Sequence, residues 1–92
     1  MHPGIYFKKT YLTDVRLAIA AMCLNVSESQ LSRVTNGKCD LTPDMALRFE
    51  KATGKPATEW MLMQCEYNLS ALREDPNMKG QLMVVTEGGL SV

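Results

Sequence analysis

The sequence predicts an all-α fold, a bundle of five helices with a short C-terminal strand. Three observations lead there. Apolar residues recur at helical spacing in segment after segment. Each segment has start and stop residues of its own, with Pro, Ser or Thr in front and Asn, Gly or Pro behind. Only the last apolar stretch, Gln81-Leu82-Met83-Val84-Val85-Thr86, reads as a strand. A chain of 92 residues holds one domain, near the lower limit for an independent core, so burying more surface in a dimer would help it. We expect residues 1–75 to form that domain and residues 76–92 a tail.

The first helix is expected from Pro3 to Leu12. Pro3 suits a first turn, where its missing N–H costs nothing, and Ile5, Tyr6, Tyr11 and Leu12 give an apolar side. Thr13 is placed to cap a second helix, with Asp14 favourable in its first turn. That helix carries Val15, Leu17, Ile19, Met22 and Leu24 among alanines, and Asn25 tolerates the left-handed conformation of a tight turn. Ser27-Glu28-Ser29-Gln30 is a capping box for a third helix over Glu28 to Thr35, stopped by Asn36-Gly37. Thr42 caps a fourth helix with Pro43 at its first position. Met45, Ala46, Phe49 and Ala52 form its inner face, and Gly54 ends it. A fifth helix follows Pro56, from Ala57 to Arg73, and breaks before Asp75-Pro76-Asn77. The terminal strand needs a partner for its unpaired backbone groups. A second subunit or the sheet of another protein would supply one.

Ten Lys and Arg balance ten Asp and Glu, so any nucleic-acid binding has to come from local clustering of charge. The three cysteines are odd in number and lack C-x-x-C spacing, which predicts free thiols and neither a disulfide framework nor a zinc site. The opening residues have no secretory pattern, and the apolar run Ala18 to Leu24 is far shorter than the ~20 residues of a spanning helix. These features predict a cytoplasmic protein with no membrane partner. No residues resemble a catalytic set, a phosphate loop or a metal cluster, so neither enzyme activity, cofactor nor metal is expected.

The informative stretch is Leu17 to Asn36. Two short helices flank a tight turn, with Ala20 and Ala21 where they must approach and Leu24, Val26, Leu31 and Val34 where a shared core needs apolar groups. That is the layout of a helix-turn-helix, whose second helix enters the major groove of DNA. Its outer face would present Glu28, Ser29, Gln30, Ser32 and Arg33. Arg33 suits bidentate pairing with guanine and Gln30 with adenine, although Gln30 is also claimed by the capping box. Ser27, Ser29, Asn36 and Lys38 suit phosphate contacts, which position without specifying.

An ordered set of short motifs spans residues 2 to 72: His2-Pro3-Gly4, Val26-Ser27, Leu31-Ser32-Arg33, Asn36-Gly37-Lys38, Thr42 to Arg48, Glu59-Trp60 and Glu66-Tyr67-Asn68-Leu69. In these the chain resembles the HigA-type (VapI-like) antitoxins, helix-turn-helix proteins of the XRE type. The resemblance implies a lambda-repressor-like helical bundle, a homodimer, binding to double-stranded operator DNA with repression of its own operon, and neutralisation of a HigB-type toxin that cleaves mRNA. It also gives His2 a structural role. The chain departs from the pattern at several positions. Leu17 stands where the family usually has a Gln able to touch the DNA backbone, and Glu28 brings a carboxylate to the expected DNA face. Asn25 replaces a turn Gly, Ala57 a common Pro, and the connector Thr13 to Arg16 is short. Two alternatives fit the same residues: a module that sequesters a toxin without binding DNA, and a solitary regulator. Ile19 and Met22 in the motif's first helix, and part of the run Trp60-Met61-Leu62-Met63, are candidates for a dimer or toxin surface.

Overall fold

The computed structural model describes residues 1–77 and, in the tail, residues 84–86 and 89–91. Five helices follow one another: α1 (Pro3–Tyr11), α2 (Leu17–Leu24), α3 (Glu28–Thr35), α4 (Pro43–Thr53) and α5 (Ala57–Arg73). Helices α3, α4 and α5 run as the punctuation predicts. Ser27 Oγ accepts from the Gln30 N–H at 3.0 Å, and Thr42 Oγ1 accepts from the Met45 N–H at 3.2 Å. Gly54, at φ +82°, closes α4.

The expected cap at Thr13 does not form. Residues 13–15 make the turn out of α1, and α2 begins at Leu17 with Arg16 as a cap that contributes no side-chain bond. Thr and Asp serve turns as readily as caps, and the short reversal between the helices takes them.

The core gathers Phe7, Ala20, Ala21, Leu24, Leu31, Val34, Leu41, Met45, Ala46, Phe49 and Trp60. Phe7 of α1 stacks on Phe49 of α4 at 4.0 Å between ring centroids, and Trp60 meets both rings edge-on. Such pairs add about 0.5–1.5 kcal/mol each beyond their burial. In α2, Ala20 and Ala21 are buried where close approach was expected, and Ile19 and Met22 are 50% and 77% exposed, as candidates for a partner surface must be. One sequence expectation is corrected in the packing. In α4, Ala52 is exposed because Met45, Ala46 and Phe49 already fill the inner face.

The tail strand also differs from expectation. Strand β1 (Val84–Thr86) pairs antiparallel with β2 (Gly89–Ser91), in the register Val84↔Ser91, Val85↔Leu90 and Thr86↔Gly89. Its partner is thus a second strand of the same chain, across two intervening residues. Residues 81–83 of the expected strand, and Gly88 at its end, lie outside the described residues. Among the described residues no helix is long and apolar enough to cross a membrane.

Candidate nucleic-acid interface

Helix α3 is fixed in place from several sides. On the α2 side the chain turns through Asn25 at φ 56°. The Val26 N–H reaches Ala21 O at 3.0 Å and the Asn25 N–H reaches Met22 O at 3.1 Å, the paired bonds of a Schellman ending. The other end of α3 repeats the device. Gly37 sits at φ +70°, Lys38 N–H donates to Arg33 O at 2.9 Å and Gly37 N–H to Val34 O at 3.0 Å.

Arg48 of α4 secures the turn. Its Nη1 donates to Leu24 O at 2.9 Å and Asn25 O at 3.2 Å, while its Nε pairs with Asp44 Oδ1 at 2.6 Å. The guanidinium so satisfies carbonyls left over at the end of α2 and carries a favourable charge there.

The His2-Pro3-Gly4 tripeptide clamps the other flank. The Gly4 N–H donates to His2 Nδ1 at 3.0 Å, so His2 caps α1. Nδ1 therefore has no hydrogen, and Nε2–H donates to Cys39 O at 2.9 Å in the loop that follows α3. A Cβ on Gly4 would lie 1.8 Å from Val34 O, so glycine alone lets α1 approach α3 this closely. Beyond Cys39, buried Gln64 of α5 accepts from the Leu41 N–H at 2.8 Å and donates to Asp40 Oδ1 at 3.3 Å, which pins the rest of the loop.

With Leu31, Val34 and Thr35 turned inward, the opposite face of α3 is left to solvent. Ser27, Glu28, Ser29, Gln30, Arg33, Asn36 and Lys38 are exposed and Ser32 is half-buried, so all the candidate residues reach the surface on α3 or just beside its ends. Ser29, Ser32, Arg33 and Asn36 form its central stripe at helical spacing.

Their engagement differs. Among the described residues, the side chains of Ser29, Gln30, Arg33 and Lys38 hold no partner, and the expected return bond from Gln30 to Ser27 is absent, so Gln30 stays available. Ser27 is used as the cap. Asn36 is committed inside the protein: its Nδ2 donates to Ser32 O at 2.9 Å and to Ser32 Oγ at 3.3 Å, and its Oδ1 accepts from Lys8 Nζ at 3.2 Å. Glu28 lies in the first turn of α3, where its charge favours the helix. Leu17 is half-buried against the core and offers no polar group.

Sequence reasoning missed Arg48, Gln64 and Lys8. The Asp44–Arg48 spacing was a visible signal of a helical ion pair. Nothing local pointed to Leu24, Leu41 or Asn36 as the distant partners.

No family model matches the chain. Virulence-associated protein A of Dichelobacter nodosus is 38% identical over 72 residues, which cover 75% of this chain and 71% of that protein. PA4674 of Pseudomonas aeruginosa, solved in complex with its operator DNA, is 29% identical with a TM-score of 0.73, over 77% of this chain and 80% of that one. The antitoxin HigA of Pseudomonas aeruginosa, solved with the higBA promoter, shares the fold at a TM-score of 0.83 and 23% identity, over 94% of this chain and 98% of that one. A helix-turn-helix held by Arg48 and by the opening tripeptide, in a chain this similar to those proteins, places it in the HigA-type (VapI-like) family of XRE-type helix-turn-helix antitoxins.

Proposed function

We propose that this protein is a DNA-binding antitoxin that, as a homodimer, places α3 of each subunit in the major groove of operator DNA, represses its own operon and neutralises a HigB-type toxin. One observation carries the reading: among the described residues, Ser29, Gln30 and Arg33 stand without partners on the open side of a helix packed against α1 and α2. In this reading Arg33 and Gln30 read base edges. Ser27, Ser29, Ser32 and Lys38 face phosphates, Asn36 at the end of the stripe orients Ser32 and Lys8, and the Glu28 carboxylate repels any phosphate brought close to it. Residues 1–75 form the DNA-binding unit and residues 76–92 an appendage for dimer or toxin contact. The operator complex of PA4674 supports the DNA partner.

Helix α5 supports the dimer. Thr58, Leu62, Cys65, Leu69 and Leu72 follow one another at alternating steps of four and three, the spacing of a coiled-coil seam, and all five are exposed. The helix buries Trp60 and Gln64, and Tyr67 and Asn68 continue that face against His2 and Asp40, so the seam lies on the side turned away from the domain. A second α5 laid antiparallel covers the seam and brings Glu59 of each helix towards Arg73 of the other.

The test is fluorescence anisotropy with the DNA upstream of the reading frame, across a salt series, with scrambled DNA as control. Tight, salt-sensitive preference for the native sequence is expected, and Arg33→Ala should weaken operator binding by about 1–3 kcal/mol and relax one base position. Unchanged operator binding in that variant would remove Arg33 from the contact set. The neutral net charge, Leu17 and Glu28 favour a second reading, toxin sequestration without DNA; equal, weak binding to both DNAs would select it.

A further inference from the structure

A second polar surface adjoins the α3 stripe. The groove between the end of α1 and the end of α3 is lined by Lys8, Lys9, Thr13 and Asn36 over Ile5 and Leu12, and among the described residues no carboxylate lines it. In a chain whose acids and bases balance at ten each, this is a local excess of positive charge of the kind DNA binding requires. Both ammoniums are exposed and sit in the last turn of α1, where the helix dipole favours them. Lys8 is tied to the stripe itself, since its Nζ donates to Asn36 Oδ1 at 3.2 Å and Asn36 in turn donates to Ser32. Lys9 has no partner among the described residues.

We propose that this groove binds a backbone phosphate of the DNA strand flanking the bases that α3 reads, with Lys8 and Lys9 as its cationic contacts. The proposal rests on the DNA-binding reading above and extends the interface to a helix outside the helix-turn-helix. Lysine acts here as a point charge, so the site adds affinity and register without adding sequence preference.

The experiment compares the full-length protein with Lys8→Gln/Lys9→Gln and Lys8→Arg/Lys9→Arg by anisotropy on operator and scrambled DNA, at salt concentrations between about 50 and 200 mM. Removing one lysine–phosphate pairing makes the slope of log affinity against log salt shallower by about 0.9. With the substitutions present in both subunits of the bound dimer, the Gln variant should flatten the slope by about 2–4, with both DNAs weakened by the same factor, while the Arg variant keeps the wild-type slope. Circular dichroism melting establishes that each variant is folded, and loss of the Lys8–Asn36 bond alone would lower the melting point without changing the slope. A folded Gln variant with the wild-type slope overturns the proposal while leaving the DNA reading intact. A wild-type protein with no salt-dependent DNA binding overturns both.

Discussion

At the level of single residues, the opening tripeptide shows how little material is needed to dock one helix on another. His2 spends both ring nitrogens, one on the Gly4 N–H and one on Cys39 O. Pro3 fills the first helical position, and Gly4 removes the one Cβ that would strike the α3 backbone. A methyl group there meets carbonyl oxygen, which cannot rotate away. Gly4→Ala is therefore expected to destabilise the fold by at least about 2 kcal/mol in urea denaturation, in the upper part of the range for overpacked sites. A midpoint equal to that of the wild type would mean that α1 can slide without cost. Trp60 is fully buried among Tyr6, Phe7, Tyr11 and Phe49, and Trp60→Ala should cost about 3–5 kcal/mol by the same measurement.

Among the elements, helix ends decide more than helix interiors. The caps at Ser27 and Thr42 were legible because each is satisfied by a residue three positions on. The position at which α5 starts was legible too, but what caps it was not. Pro56 offers no side-chain cap, and the Ala57 N–H instead donates to Glu50 Oε2 of α4 at 2.7 Å. A charged acceptor at a helix N-terminus is both a hydrogen-bond partner and favourable to the dipole. Glu50→Ala should then lower stability by about 1–2 kcal/mol, with Glu50→Gln recovering part of it, both read from thermal melts. Equal melting points for all three proteins would show that water replaces the carboxylate without loss. Helix α2 gives the complementary lesson. Apolar on all sides, it carries no periodic signal of which side turns inward; the close approach that the motif demands buries Ala20 and Ala21, and Ala18 stays exposed.

For the molecule as a whole, a small core serves a long last helix. Leu62, Leu69 and Leu72 are 57%, 42% and 47% exposed and share one face of α5, an apolar strip that a partner helix could cover. Leu62→Lys/Leu69→Lys should convert a dimer to a folded monomer in sedimentation equilibrium, weakening operator binding while leaving helical content near that of the wild type. A dimer that survives both charges would move the interface elsewhere, first to Val15, Ile19, Met22 and Leu47, the other exposed apolar group. The β1–β2 pairing satisfies one edge of each tail strand from within the chain, but a two-stranded hairpin is marginal alone in water. If a protein ending at Asp75 dimerises and captures toxin as well as the full chain does, the tail has no part in either.

The five helices, most of their ends, and the polar face of α3 were already legible in the order of residues. Those features depend on contacts within a few positions, on the φ values that Asn, Gly and Pro permit, and on the 3.6-residue period. The family resemblance was legible for the same reason, since its motifs are mostly caps, turns and inward-facing residues. It took packing in three dimensions to make Thr13 part of a turn, to expose Ala52, to tie the segments flanking α3 to Arg48, His2 and Gln64, and to join Lys8 to the α3 stripe. Each of these is settled between residues far apart in the chain, where spacing carries no information and the available volume and the unpaired backbone groups choose the partner.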